Sequence, residues 1–203
     1  DTPARLTALE PGLQEACYAM GVDLARQVAG MPGAEDMTKV TEGLRDMLAG
    51  NARLDFMQAR EVMSVHGHAH GEGDQHDHPD TWTERGFASE SEQQGYAMGV
   101  TLGQFVQSQM PELDEAALMQ GLGDRLAEGT ETLVAEDDCR GIIQKFQQEY
   151  AEKAGARNKA EGEKFLAENG ERDGVVTTDS GLQYEVLQKG DDGDHPTASS
   201  TVK

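Results

Sequence analysis

The chain has 203 residues, of which 36% are hydrophobic and 5% aromatic, so it can form one large or two small domains but not an aromatic-rich core. Its 38 acidic and 17 basic residues give a net charge of −21. Such a surface repels the phosphates of nucleic acids and anionic lipids, which excludes a nucleic-acid-binding protein, and no run of apolar residues approaches membrane-spanning length.

The first predicted elements are three short amphipathic helices. Apolar residues recur at helical spacing in the first: Leu13, Ala16, Cys17, Met20, Leu24 and Val28. A second helix is predicted over 37–48 and ends at a Gly-Asn pair. Asp55, with Gln58 three residues later, has the spacing of a capping box, which predicts a third helix that ends near Gly67.

Five of the six histidines lie in the segment that follows, residues 66–90, which is rich in Gly and Asp and is interpreted as a linker. Imidazole and carboxylate groups suit Zn, Ni or Cu, so weak binding of these metals is one prediction. The other is a solvated linker with incidental histidines, because the spacing matches no closed structural zinc site. The candidate ligands are His66, His68, His70, His76 and His78.

A second set of three helices follows the linker. Ser91 and Gln94 have capping-box spacing and predict the start of a helix that ends near Pro111. The next helix is predicted over 114–126. The last one does not stop after a few turns but continues to Gly170, and its part after residue 150 is mostly Ala, Lys and Glu, which is typical of a solvated stalk.

The second set of helices repeats the first. Residues 18–22 (Tyr-Ala-Met-Gly-Val) recur as 96–100, and 43–49 are similar to 121–127, at one offset because 18 + 78 = 96 and 43 + 78 = 121. Helices with such thin apolar stripes cannot bury themselves alone. The sequence therefore predicts two repeats packed as an intertwined pseudo-dimer, in which close helix packing explains the repeated glycines Gly21, Gly43, Gly99 and Gly121. Self-association of two chains through these repeats, as a homodimer, is the alternative.

Cys17 and Cys139 are the only two cysteines. Two widely separated thiols form neither a disulfide framework nor a metal site. In the pseudo-dimer the first helix of one repeat could bring Cys17 to Cys139 on the third helix of the other. One disulfide is therefore one prediction, and two small buried core residues are the other.

After Gly174 the pattern changes to short strands. Residues 175–178 are β-branched, and 181–187 alternate apolar and polar side chains after a glycine, as a half-buried strand does. Residues 201–203 resemble the start of another strand. The predicted fold class is thus mainly α, with a long stalk helix and one or two short C-terminal strands. The predicted segments are 1–65 and 91–150 (repeats), 66–90 (linker), 151–173 (stalk) and 174–203 (start of a further domain).

Several motifs resemble one family of proteins. Residues 158–169, 174–178 and 180–184 are similar to the stalk and entry strand of the macrophage-infectivity-potentiator group of FKBP-type peptidyl-prolyl isomerases. Residues 96–100 and 121–126 resemble the N-terminal helical domain of that family. The resemblance covers the second repeat, the stalk and the tail, and the first repeat more loosely.

The resemblance implies a periplasmic folding factor whose helical domain dimerises by intertwining and whose stalks hold catalytic domains over a polypeptide client. A start at Asp1 suits a processed exported chain whose signal peptide has been removed, and it also suits a trimmed chain. X-Pro isomerisation has a barrier of about 20 kcal/mol and needs an apolar, aromatic pocket that favours the twisted amide. The family's pocket residues come after the point that Lys203 reaches, so we name no catalytic residue, and no cofactor is expected.

The sequence leaves two other functions open. The chain could be an accessory or structural subunit of a larger periplasmic or membrane-associated complex. It could also be a periplasmic metal buffer that acts through its histidine-rich linker. The nine methionines have two interpretations as well, a surface that holds unfolded clients and ordinary filling of the core.

Overall fold

The computed structural model describes residues 5–31, 34, 36–65, 81–127, 129–190, 193 and 197–201. The chain divides into two compact units, Asp1–Glu149 and Tyr150–Lys203. The described helices and strands follow in chain order: α1 Leu13–Val28, α2 Met37–Leu48, α3 Phe56–Val65, α4 Thr81–Glu84, α5 Glu90–Gln109, α6 Glu115–Leu126, α7 Cys139–Gly170, β1 Val175–Thr177 and β2 Gln183–Glu185.

Polar side chains cap most of these helices. The capping box that opens α3 is confirmed, because the Gln58 N–H donates to the Asp55 carboxylate at 2.8 Å while the Asp55 N–H donates to the Gln58 side chain at 2.9 Å. Asp36 and Asp114 accept backbone N–H groups at the starts of α2 and α6.

The predicted start of α5 was wrong by two residues. Its N-cap is Ser89 rather than Ser91, since the Glu92 N–H donates to the Ser89 hydroxyl and the Ala88 N–H donates to the Glu92 carboxylate. Ser89 has the extended backbone that an N-cap residue adopts. Two capping-box spacings overlap in this segment, and the helix is capped at the serine of the earlier one.

The helices of unit 1 pack across the repeats. The first helix of the first repeat, α1, packs on the second helix of the second repeat, α6, and α5 packs in the same way on α2. The third helix α3 also packs on α5, and the first turns of α7 share a core cluster with α1 through Cys139 and Ile143. The predicted mainly α, intertwined fold is confirmed.

The end of the predicted linker is packed rather than free. Residues 81–88 contain the short helix α4, and Phe87 is buried with Tyr96, Val100 and Leu54 in one cluster that Trp82 partly covers. The remainder of the segment, 66–80, lies outside the described residues.

Unit 2 contains the end of α7 and a β-hairpin. The strands β1 and β2 are antiparallel, with Val176 opposite Tyr184 and Thr177 opposite Gln183. Gln183 joins the hairpin to the helix, because its amide donates to the Leu166 carbonyl at 2.8 Å and accepts from Asn169 at 2.9 Å. Of the third predicted strand, Thr201 lies outside any strand and the remaining two residues lie outside the described part of the chain.

Candidate functional site

The candidate site is the surface on which the two repeats cross. Where α1 meets α6, a Cβ atom built on Gly21 would overlap the Leu118 carbonyl oxygen and lie 2.7 Å from the Leu122 nitrogen. On the facing helix, a Cβ on Gly121 would overlap the Tyr18 carbonyl oxygen. Only glycine allows two helix backbones to approach this closely.

The other crossing repeats the same arrangement. A Cβ on Gly99 of α5 would overlap the Val40 carbonyl oxygen and lie 2.6 Å from the Leu44 nitrogen, and a Cβ on Gly43 of α2 would overlap the Tyr96 carbonyl oxygen. The prediction that close helix packing explains the repeated glycines is confirmed at both crossings.

A buried tyrosine ties each first helix to the opposite repeat. The Tyr18 hydroxyl donates to the Asp124 carboxylate at 2.8 Å and accepts the Leu133 N–H at 2.9 Å. Burial raises the pKa of Tyr18 to about 12, and the neighbouring Asp124 carboxylate acts in the same direction. The phenol therefore stays neutral and can donate its proton at every physiological pH.

The second tyrosine makes the equivalent contacts. The Tyr96 hydroxyl donates to the Asp46 carboxylate at 2.8 Å and accepts the Arg53 N–H at 2.9 Å, and burial raises the pKa of this phenol too. Neither Tyr–Asp pair was predicted from the sequence. A signal for them existed, since Asp46 and Asp124 are also one repeat apart (46 + 78 = 124).

The charges around the two tyrosines differ. Asp124 is only 2% exposed, and Arg5 neutralises it at 2.7 Å. Beside Tyr96, the Arg53 guanidinium lies 4.3 Å from the centre of the Phe87 ring and 4.4 Å from that of Tyr96. The two terminal nitrogens of this guanidinium donate hydrogen bonds, one to the Gly86 carbonyl at 3.2 Å and one to the Glu42 carboxylate.

The two cysteines are buried in the same core cluster. The Asp114 N–H donates to the Cys17 sulfur at 3.2 Å, whereas the Cys139 thiol donates to the Ala135 carbonyl at 3.5 Å. Burial raises the pKa of each thiol to about 11. The bridge between Cys17 and Cys139 stays a prediction.

The predicted metal ligands His66, His68, His70, His76 and His78 lie outside the described residues, so metal binding also stays a prediction. Within the described ranges, no group of three or more His, Cys, Asp or Glu side chains is placed to hold an ion. No described helix combines the length and the apolar character needed to cross a bilayer.

The methionines mostly fill the core. Three are buried, namely Met20, Met98 and Met110. Four others are half-buried and pack against the core clusters, namely Met37, Met47, Met63 and Met119. Only Met31 and Met57 are exposed among the nine, so filling of the core is the better interpretation of this residue type.

Two open surface cavities among the described residues, of about 560 Å³ and 580 Å³, have no aromatic residue in their walls. Tyr184 is 47% exposed on the hairpin, and Trp82 packs at the edge of a core cluster. Neither of these two aromatic residues lines either cavity.

One protein family matches the chain from α5 to just after β2. Its description is a domain amino terminal to FKBP-type peptidyl-prolyl isomerase, and the match covers residues 91–186. The first repeat lies outside this match, although α1 and α2 make the same crossings as α5 and α6.

Three relatives illustrate the similarity. The FKBP-type peptidyl-prolyl cis-trans isomerase FkpA of Aeromonas hydrophila is 30% identical over 126 residues, covering 55% of this chain and 46% of the relative. A probable FkpA of Neisseria meningitidis serogroup B is 35% identical, and the match covers 56% of this chain and 45% of the relative. The outer membrane protein MIP of Legionella longbeachae is 29% identical, and the match covers 57% of this chain and 52% of the relative. The chain spans about half the length of these curated relatives, and no solved structure matches it.

Proposed function

We propose that this chain is the dimerisation and chaperone region of an FKBP-type peptidyl-prolyl isomerase and assists protein folding in the periplasm, because residues 91–186 match the family of domains amino-terminal to such isomerases. The observation that carries the proposal is the continuity of the match, which includes the crossing helices α5 and α6, the long helix α7 and the hairpin. The names of the relatives, FkpA-type isomerases and an outer membrane protein MIP, support it.

The C-terminal hairpin supports a connection to a catalytic domain. Val176 and Tyr184 are cross-strand partners and are 46% and 47% exposed, and Leu182 and Val186 lie on the same face as Tyr184. A two-stranded hairpin is marginally stable in water, and one with an exposed apolar face gains from being covered. We propose that this face packs against a catalytic domain, which supplies the aromatic pocket.

A comparison of two proteins tests this assignment of the isomerase activity. We expect the full product of the gene that contains this chain to accelerate cis/trans exchange in an X-Pro peptide, and this chain alone to leave the rate unchanged. Protease-coupled cleavage of a proline-containing peptide measures the rate. A full gene product without activity would contradict the proposal.

The proposed chaperone role needs exposed apolar side chains on unit 1. Four large ones are exposed among the described residues of unit 1, namely Met31, Met57, Phe105 and Leu133. We propose that they hold unfolded clients weakly, while the strong negative charge keeps the complex soluble.

Light scattering by a chemically denatured client tests the chaperone role. The chain should reduce aggregation at equimolar concentration, and Phe105→Ser on α5 should weaken this effect. Gln107→Ser, which replaces an exposed polar residue of the same helix, is the matched control and should retain it. Undiminished aggregation in the presence of the unmodified chain would contradict the role.

The predicted bridge between Cys17 and Cys139 can be tested in the same preparations, because the periplasm is an oxidising compartment. Protein isolated from that compartment is unfolded with an alkylating reagent present, and its reactive thiols are counted. If the bridge is present, neither of the two cysteines reacts with the reagent. Two thiols that react only after unfolding would instead identify buried free cysteines.

A further inference from the structure

The crossing surface has a partner within the same chain. We infer that the first repeat is the built-in partner of the second, so that the protein works as a monomer in which one long helix serves a pair of repeats. The inference rests on the proposed function and deepens it, because it names the partner of the proposed dimerisation surface.

The two repeats already occupy the crossing surface of each other. At Gly21 and Gly99 the backbone of the facing helix lies where a side chain would be. The Tyr18–Asp124 and Tyr96–Asp46 hydrogen bonds also join different repeats. A second copy could use this surface only by displacing a helix of the same chain.

The described residues of unit 1 offer few exposed apolar side chains for a second copy to cover. Four large ones are exposed among them: Met31 after α1, Met57 on α3, Phe105 on α5 and Leu133 before α7. Apolar residues that are exposed singly are normal on monomeric proteins. A stable interface buries about 800 Å² on each partner, which is more than four partly exposed side chains provide.

The third helices of the repeats have different lengths. Ala59 of α3 and Cys139 of α7 are equivalent by sequence (59 + 80 = 139), and both are fully buried. Yet α3 has 10 residues and ends at Val65, whereas α7 has 32 residues. Within the described residues, a pair of repeats from one chain therefore contributes one long helix, where two identical copies of the second repeat would contribute two.

The connection between the repeats favours pairing within the chain. Two binding modules in one chain that can reach each other have an effective concentration of about 1 mM. At a chain concentration of about 10 µM, pairing within the chain is thus favoured about 100-fold over an otherwise equal exchange of repeats between chains.

Particular side chains also favour the mixed pair over pairs of identical repeats. Arg53 of the first repeat lies against Phe87, which precedes the second repeat, and the equivalent of Phe87 before the first repeat is Leu9 (9 + 78 = 87). A pair of first repeats would therefore lose one cation–π contact for each arginine.

A pair of second repeats loses a counter-ion. Arg5 neutralises the buried Asp124, and its equivalent before the second repeat is Thr83 (5 + 78 = 83). Each Asp124 in such a pair would face a hydroxyl instead of a cation, and a buried carboxylate without its partner is strongly unfavourable. Pairing of a first repeat with a second repeat keeps both the contact of Arg53 with Phe87 and the ion pair of Arg5 with Asp124.

Light scattering coupled to size-exclusion chromatography tests the monomer. We expect a mass of 21.9 kDa that does not change between about 10 µM and 1 mM, the effective concentration of the connected repeats. A dimer mass at the lower concentration would overturn the inference. The measured mass does not depend on chaperone or isomerase activity. A dimer would therefore contradict the monomer but not the proposed function, and a missing activity would contradict the proposed function but not the monomer.

Cleavage between the repeats tests the partner. A protease site is inserted within residues 66–80, and the folded full chain is cut there. The two pieces should remain together at the mass of the uncut chain. Pieces that elute separately would overturn the inference.

The dissociation constant of the cut pieces then tests the choice of partner. Arg53→Leu introduces the residue that the second repeat has at this position (53 + 80 = 133) and should raise the constant about tenfold, as expected for a desolvated cation–π contact. Arg60→Leu is the matched control, because the ring that Arg60 contacts is Phe56 of its own helix. Equal effects of the two substitutions would contradict the role of Arg53. If Arg53→Leu fails to fold, Arg53→Lys replaces it and should still weaken the pair relative to the control.

Discussion

Glycines lie in two contrasting regions of this chain, the helix crossings of unit 1 and the exposed part of α7. At Gly99 and Gly121 an added Cβ would overlap the backbone of the facing helix, whereas at Gly155 and Gly162 it would meet no atom within 4 Å. A glycine inside a helix costs about 1 kcal/mol relative to alanine. Close packing offsets that cost at the crossings, while nothing near the glycines of α7 does so. Glycine therefore indicates close helix packing at the crossings of unit 1 and an exposed helix surface in α7.

The largest effect is expected when the crossings are overpacked. Gly99→Ala or Gly121→Ala should lower the free energy of unfolding by about 3 kcal/mol or more, because the added methyl group meets backbone atoms that cannot move aside. Urea denaturation followed by circular dichroism measures the change. Gly123→Ala is the control on the same helix, since its Cβ would meet nothing within 4 Å, and it should be neutral or stabilising. Equal losses at Gly121 and Gly123 would show that the helices do not cross at Gly121.

The next largest effect concerns the buried tyrosines. Tyr18→Phe removes a hydrogen bond to a carboxylate and leaves the Leu133 N–H without its acceptor, so the free energy of unfolding should fall by about 1–3 kcal/mol. Tyr96→Phe should cost less, because Asp46 is half-buried whereas Asp124 is buried. The same denaturation experiment compares the two variants. A larger loss for Tyr96→Phe would contradict the burial of Asp124 as the cause.

The tyrosines should also make stability depend on pH. Burial raises the pKa of Tyr18 to about 12 in the folded protein, above the value of about 10 in an unfolded chain. The folded state keeps this proton while the unfolded state loses it, so the contribution is complete below about pH 10 and is lost as the pH rises toward 12. The expected slope is about 1.4 kcal/mol per pH unit for one such group. Unfolding of Tyr18→Phe between these pH values should give a shallower slope, and an unchanged slope would show that Tyr18 does not keep its proton.

The smallest effect is expected in the exposed part of α7. Gly155→Ala and Gly162→Ala should each stabilise the helix by up to about 1 kcal/mol, because alanine has the higher helix propensity and neither site has a neighbour to overlap. Amide hydrogen exchange within 150–170 measures this local change. Slower exchange is the expected result. Faster exchange in either variant would indicate that the glycine is packed against a neighbour.

The helix pairing could be predicted from the sequence because the repeats keep the same residues at the same spacing. Tyr18 and Gly21 recur as Tyr96 and Gly99, and a helix that keeps glycine at such a position is packed closely on that face. Thin apolar stripes then required each repeat to cover the other. The starts of helices were less certain, as Ser89 shows, because two capping boxes compete within a few residues.

Other parts of the site could not be predicted because their signal is absent from the repeat. Arg53 aligns with Leu133, so nothing in the pattern indicates that its guanidinium lies between Phe87 and Tyr96. The role of Arg5 depends in the same way on a residue far along the chain, Asp124. Contacts that occur in only one half of a duplicated fold can be found only from the coordinates.

A zero-length cross-link between α2 and α5 tests the crossing of the repeats most directly. The Lys39 amine lies 2.9 Å from Glu42 of its own helix and 3.9 Å from the carboxylate of Glu92 on α5. After carbodiimide treatment of mixed ¹⁴N- and ¹⁵N-labelled chains, mass spectrometry should identify a Lys39–Glu92 link whose two peptides carry the same isotope. Links between peptides of different isotopes, or links from Lys39 to Glu42 without any to Glu92, would contradict the pairing of the two repeats within one chain.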